Sequence, residues 1–579
     1  MTVPIGPVFS VQDIPFSYAG SWFGISPVVA EKTHAEHLHL VSHQSGLHAV
    51  LRFVPMRAGA PVEAVVSATP ALLTWDGTEG RIELAYESAD TVRLRGQGLG
   101  AAIRAAHATL TPFSGTYFYR DPVDDAYVFT DYGTGRRYRV TVLTGRVTAV
   151  GAEALGTGER GVTADGDQPW ELAIEEFDSA RPSYRPGRTF DEVVKAAEGE
   201  FTAFVEAVAP WRSARTPAAE LAAYVLWSAS VRPAGFVTRP AVLMSKHWMD
   251  KVWSWDHCFN ALALADGLPD LAWHQFRIVF DHQDESGALP DSITHSEVLY
   301  NFVKPPIHGW ALRQLRRRLP QLDTGELTAT YQVLARWTTF WLDARRRPGE
   351  HLAHYQHGND SGWDNATTFD PQRLVQSADL AAFLVLQLRE LADLAELLGR
   401  DGDAARWTET AERIRAAMMN LLWTGDRFVA RSPTSGATWT SDSLLDLMAV
   451  ILGDDLPAHV GGVLADRIRA HLTDFGPATE LPTSARYEAD GYWRGPIWAP
   501  STVLVEDGLR RAGHTALADD ISARFRALCE RSGFAENFDA RTGAGLRDRA
   551  YTWTASAYLM LAAAHVARSG TAVGDDGGS

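Results

Sequence analysis

From Ser21 to about Phe177 the chain alternates apolar and polar positions. Leu47, Ala49, Leu51 and Phe53 alternate with His48, Val50 and Arg52, and Val92 and Leu94 alternate with Arg93 and Arg95. Tyr138, Val140 and Val142 alternate with Arg137, Arg139 and Thr141, after a turn at Gly133-Thr134-Gly135. A period of two places successive side chains on opposite faces of a strand, and short strands with no helical run between them predict a β-sandwich over residues 1–177. Residues 151–167, rich in Gly, Thr and Asp, are expected to form an exposed loop. No chemical constellation stands out in this half.

The pattern changes at Ser179–Gly187, where two prolines and small polar residues read as a linker. A helix is expected from about Thr189, with Phe190, Val193, Val194, Ala197, Phe201 and Phe204 on one face, ended by Ala209-Pro210. Residues 178–215 are therefore assigned to a linker with a connecting helix. From Thr216 a period of 3.6 takes over. Leu374, Ala378, Ala381, Val385, Leu388, Leu391, Ala395 and Leu398 share a stripe closed by Gly399. Helices are expected to start near residues 216, 255, 268, 306, 325, 374, 402, 440, 457, 497, 515 and 552. Short connections favour antiparallel pairs, and six such hairpins close into an α/α barrel over 216–568. The fold class expected is thus an N-terminal β-sandwich followed by a six-hairpin α/α barrel, with a disordered tail over 569–579.

Composition removes several functions. The chain has 579 residues, a formal charge of −17, 46% hydrophobic and 22% charged residues. Two domains are the natural expectation at this length. The acidic balance argues against nucleic acid or an anionic membrane as partner. The start, Met1–Ser10, has neither a basic nor an apolar run, and no stretch nears a membrane span, so a cytoplasmic protein is expected. Only Cys258 and Cys529 occur, which excludes a disulfide framework. No nucleotide-binding glycine motif and no metal-ligating histidine spacing is present, so no cofactor and no metal is expected. His247, His257 and His308 read as hydrogen-bonding residues. Trp, at 19, is the unusual count, and it gathers at loop-like sites where aromatic faces can hold sugars.

The chemistry gathers in long connections between helices. His357–Asn365 reads HGNDSGWDN, a turn-forming stretch with two acids beside a Trp. Such a loop, mounted on helices, suits a general acid for glycosidic bond cleavage, although Asp360 and Asp364 could equally bond their own backbone in tight turns. Asp364 and Glu536 are the pair chosen for acid and base work, since inversion needs one protonated carboxyl and one carboxylate that activates water. Glu536 has an ordinary-turn alternative, and Asp256 could be a helix N-cap instead of a sugar ligand. Arg316–Arg318 and Arg345–Arg347 are read as helix C-terminal charges facing the dipole.

Seven segments in order, WSWDH, GALPD, KPPIHGWA, SGWDN, YWRGPIW, ENFDARTG and YTWTA, resemble the glycoside hydrolase family 63 group between Trp248 and Leu561. That group includes inverting α-glucosidases and relatives acting on glucosylglycerate or mannosylglycerate, with trehalases in a sister family. The resemblance implies Asp364 as general acid and Glu536 as general base. It implies Trp255, Asp256, Trp363, Asn365, Trp493, Arg494 and Trp498 as the residues around the bound sugar. The function expected is an inverting exo-acting glycosidase taking a small carbohydrate and releasing a hexose, with glucose first in line. Hexosylglycerate or trehalose specificity, a phosphorylase, and a sugar-binding barrel are the alternatives. Lys246, Lys251, Lys304 and Tyr300 are available to clamp a glycerate carboxylate but cannot be assigned. Glu536 is expected to be the wetter of the two carboxyls, because it must stay ionised.

Overall fold

A computed structural model describes residues 6–151 and 155–572 of the chain. The chain divides into two compact units: residues 1–210, 223–251 and 294–297 form the first, and 211–222, 252–293 and 298–579 the second.

The first unit is built on two antiparallel sheets. One orders Phe23–Ala30, Thr33–Ser42, His48–Arg57, Gly100–Ala105, Gly161–Ala164 and Val147–Val150, with Ala60–Pro61 added beside His48–Arg57. The other orders Thr116–Arg120, Tyr127–Asp131, Arg137–Thr144, Trp170–Phe177, Thr91–Gln97, Gly80–Ser88, Leu73–Gly77 and Val65–Ala68. Alternation puts one face of each sheet inward, where Phe23 stacks on Tyr86 and Phe53 meets Trp75 across the layers. The stretch expected as an exposed loop at 151–167 contains the mostly buried strand Gly161–Ala164, which pairs with Gly100–Ala105. Residues 152–154 of that stretch lie outside the described residues.

Helix α1, Phe190–Val208, starts where the sequence places it, because Thr189 and Glu192 form a reciprocal capping box. Its Phe190 and Val193 pack on Ala85 of the second sheet, within the first unit.

Eleven further α-helices follow among the described residues: α2 (Ala219–Ala229), α3 (His257–Leu264), α4 (Pro269–Arg277), α5 (His308–Arg318), α6 (Thr324–Asp343), α7 (Ala378–Leu397), α8 (Asp401–Leu421), α9 (Ala458–His471), α10 (Ala499–Arg511), α11 (Thr515–Ser532) and α12 (Thr552–Ala572). The helix expected near 440 is a 3₁₀ segment, Leu444–Asp455, bent where Gly453 adopts φ 61°. Within the second unit, α3 packs on α5, α5 on α7, α7 on the 3₁₀ segment, that segment on α10, α10 on α12, and α12 on α3. Two glycines permit close approaches between these helical segments. A Cβ on Gly309 would lie 2.3 Å from Gln387 Cα, and one on Gly508 would lie 2.3 Å from the Val450 carbonyl oxygen. The tail expected from Ser569 begins later, since α12 continues to Ala572, and residues 573–579 lie outside the described residues. Among the described residues no helix is long and apolar enough to cross a membrane.

Candidate active site

The loop His357–Asn365 is the tight turn its composition predicts. Gly358–Ser361 forms a 3₁₀ turn closed by Gly362 at φ 74°. Only glycine fits at 362: a Cβ there would lie 2.3 Å from Trp255 Cζ2, in backbone that L-residues resist. The two acids of the loop divide the structural and chemical roles. Asp360 is buried and accepts from the backbone N–H of Val303 (3.1 Å) and Gln356 (2.8 Å) and from Arg345 Nη1 (2.7 Å). Arg345 therefore answers Asp360, not the dipole of the helix before it. Asp364 has no such strut. Its side chain keeps 29% of its surface accessible, and Oδ1 makes no hydrogen bond but lies 3.8 Å from Lys304 Nζ.

The bond from Val303 to Asp360 fixes the next residue. Lys304 Nζ donates to the Asn359 carbonyl (2.9 Å), pairs with Asp291 Oδ1 (3.2 Å) and sits 5.6 Å from the centre of the Trp253 ring. Asp256 adds a third carboxyl. It stands at the start of α3, yet its side chain makes no capping bond, and its Oδ2 is buried with no partner. Burial pushes its pKa up to about 8, with Asp291 and Asp364 adding to the rise and Lys304 opposing it. The capping alternative for Asp256 is thus not what the structure shows.

The segment around Tyr492 is tied to the first loop by Asn365. The Asn365 side chain accepts from Trp493 N (2.9 Å) and donates to the Gly491 carbonyl (3.0 Å), and its backbone carbonyl accepts from Arg494 Nε (2.8 Å). Arg494 also pairs with Asp370, so its guanidinium acts as a staple between loops. Between these anchors Tyr492 adopts φ 64°, a left-handed backbone that a bulky side chain holds at a cost. Its hydroxyl favours the charged form of both Asp364 and Glu536, and both carboxyls in turn push its own pKa up.

Glu536 is buried, and its backbone N–H donates to the Asp548 carbonyl (2.7 Å). Burial, reinforced by Asp548, raises its pKa to about 8, against the pull of Arg547 and the Tyr492 hydroxyl. Asp364 is raised as well, chiefly by burial, with Lys304, His357 and Tyr492 opposing. Of the two carboxyls Asp364 is the more exposed, the reverse of the expectation. Glu536 lies under Tyr492 and beside Asp548, where little water reaches it.

The tryptophans named from the sequence come together, but as packed rings. Trp363 meets Trp493 at 4.6 Å, Trp493 stacks parallel on Trp498 at 4.0 Å, Trp498 meets Trp553 at 6.2 Å, and Trp553 meets Trp255 at 5.0 Å. All five are buried, so this chain of rings joins the loops as a wall. Of the residues weighed for a carboxylate clamp, only Lys304 lies at these carboxyls. Lys246 is buried in the first unit against Ser17, Tyr18 and Ser230, Lys251 belongs to that unit too, and the Tyr300 hydroxyl donates to the His282 carbonyl. Sequence reasoning gave no role to Asp291, Tyr492 or Arg547, although GALPD, YWRGPIW and the residues after ENFDARTG carry them.

The sequence model for the mannosylglycerate hydrolase MGH1-like glycoside hydrolase domain matches residues 249–554, a span that holds every residue of this site. A mannosylglycerate hydrolase of Thermus thermophilus is 41% identical over 397 residues, covering 53% of this chain and 93% of that protein. One from Rubrobacter radiotolerans is 24% identical over 419 residues, covering 56% and 92%. Among solved structures, a family 63 mannosylglycerate hydrolase from a Thermus thermophilus strain, in complex with glucose, superposes with a TM-score of 0.52 at 21% identity, covering 59% of this chain and 98% of that one.

Proposed function

The chain belongs to the MGH1-like glycoside hydrolases of the family 63 type and is a glycosidase; from that premise we propose that it cleaves a small α-hexoside with inversion, Asp364 serving as general acid and Glu536 as general base. One observation carries the assignment: Asp364 and Glu536 both act electrostatically on the Tyr492 hydroxyl, and burial raises the pKa of both carboxyls. An acid must keep its proton until the glycosidic oxygen takes it, and burial of Asp364 favours that neutral form. A base must be ionised to take a proton, so with burial holding Glu536 at about 8 the rate should rise with pH toward that value.

In this reading Asp364 gives its proton to the leaving oxygen while Glu536 takes one from a water attacking the opposite face of the sugar. Asp256, with a buried and unpartnered oxygen, accepts from the hydroxyls of the hexose. The ring of contacts among α3, α5, α7, the 3₁₀ segment, α10 and α12 supports a six-hairpin α/α barrel as the scaffold. Relatives named mannosylglycerate and glucosylglycerate hydrolases favour hexosylglycerates as the first substrates to try, ahead of neutral α-glucosides.

The test is a panel of mannosylglycerate, glucosylglycerate and neutral α-glucosides, followed by proton NMR. Release of the β-hexose before mutarotation is expected. Release of the α-anomer first, or no hexose from any member, would remove the proposal.

A further inference from the structure

GALPD and KPPIHGWA are left without a part in the mechanism above, yet among the described residues they supply the ion pair that touches the acid. Lys304 Nζ is 3.2 Å from Asp291 Oδ1 and 3.8 Å from Asp364 Oδ1, with its third contact on the Asn359 carbonyl. The pair is enclosed, with 7% of the Lys304 side chain and 6% of the Asp291 side chain accessible. In so dry a place one cation is best matched by one anion. Asp291 fills that place at the shorter distance, so a neutral Asp364 leaves no charge unmatched.

We propose that the Lys304–Asp291 pair is a positioning device for the proton of Asp364: Asp291 occupies the lysine while Asp364 is protonated, and Lys304 receives the Asp364 carboxylate once the proton has moved to the leaving oxygen. The proton passes from the Asp364 carboxyl to the glycosidic oxygen, the carbon–oxygen bond breaks with its electrons on that oxygen, and the negative charge left on Asp364 lies beside Lys304. Asp360 sets the geometry from outside, because it fixes the Val303 N–H one residue before the lysine. The groups facing Asp364 are Lys304, His357, Tyr492 and Asp256, with Glu536 beyond the tyrosine hydroxyl. Of these, Lys304 is the foremost influence favouring the carboxylate. Neither member of the pair is assigned contact with substrate; both act through Asp364.

This inference rests on Asp364 being the acid, and the experiment separates the two claims. The protonated-carboxyl infrared band that is missing from Asp364→Asn reports the titration of Asp364 in the intact enzyme. Lys304→Gln should move its midpoint up by about one pH unit or more, since an opposite charge at this range is worth about that much. Asp291→Asn should move it down by about as much, because the lysine then turns to Asp364, and kcat at neutral pH should fall with it. Lys304→Arg, which keeps the charge, should stay near wild type. A purely structural role would not give shifts of opposite sign. Where a single variant folds poorly, the double variant Lys304→Gln/Asp291→Asn buries no lone charge, and its midpoint should fall between those of the singles. Shifts of the same sign, or unmoved midpoints with an inactive Asp364→Asn, overturn this inference alone. Near wild-type turnover in Asp364→Asn removes the acid assignment instead, and with it the catalytic meaning of the pair.

Discussion

The guanidinium of Arg547 lies 5.0 Å from the centre of the Tyr492 ring, and both residues hold left-handed backbone, at φ 59° and 64°. Two non-glycine residues in that region, in contact with each other, store strain beside the proposed acid and base. Arg547 is itself fixed by Asn537 Oδ1 (2.9 Å) and by an ion pair with Asp490 (2.7 Å), so the tyrosine ring has a rigid floor. Tyr492→Phe keeps the ring and removes the hydroxyl that favours the charged form of both carboxyls. We expect kcat to fall about 10²–10³-fold with KM little changed, the usual cost of one well-placed donor. Steady-state kinetics on the best substrate of the panel checks it.

The acid and base can be told apart by the leaving group. A leaving group that departs without a proton does not need the proposed acid, Asp364. In Asp364→Asn, cleavage of an activated aryl α-hexoside should persist while natural substrates lose about 10²–10⁴-fold in kcat. Glu536→Gln should fail on both, because water activation is needed in either case. The opposite pattern would exchange the two roles.

Glu536 and Asp256 carry a stability cost that depends on pH. Each has a pKa of about 8 in the folded protein, against 4.5 and 3.8 for the unperturbed groups. Between those values the folded state holds protons that the unfolded chain has released, so stability falls as pH rises through the window and levels off above about 8. Glu536→Gln and Asp256→Asn should each flatten this slope and raise Tm at neutral pH relative to wild type. Thermal melts from the acid side of this window to above it measure the slope, and a steeper one in either variant would contradict the burial argument.

Asp360→Ala should act through the scaffold. It strands Arg345 and two backbone N–H groups around a buried site, and breaking such a pair from one side costs about 3–5 kcal/mol. Denaturant unfolding should show that loss. Activity should fall as well, since Val303 and hence Lys304 lose their anchor.

Gly362→Ala tests the turn itself. The left-handed backbone at 362 costs an alanine about 1–2 kcal/mol, and the clash with Trp255 adds to it. A variant as stable and active as wild type would show that the Trp255 contact does not hold the loop.

The periodicity of the chain determined a good deal. Alternation in 21–177 specifies strands, and the 3.6 period from Thr216 specifies the helical series, because each pattern has one way to bury its apolar face. The start of α1 near Thr189 was legible from the recurring face of Phe190, Val193 and Ala197, while the capping box between Thr189 and Glu192 that fixes it was found only in the structure. Order and spacing of short motifs were enough to bring Asp364 and Glu536 under suspicion. What they could not convey was which carboxylate is a strut. Asp360 and Asp364 sit four positions apart in the same turn, and only the arrival of Val303 and Arg345 from other segments gives the first its bonds and leaves the second open. Burial likewise belongs to the tertiary structure. Glu536 reads as an exposed turn residue until Tyr492 and Asp548 close over it, and Trp493 and Trp498 read as sugar platforms until they stack on each other. The strain at Tyr492 and Arg547 leaves no trace in residue type, because neither is a residue that chooses left-handed backbone; the surrounding contacts impose it.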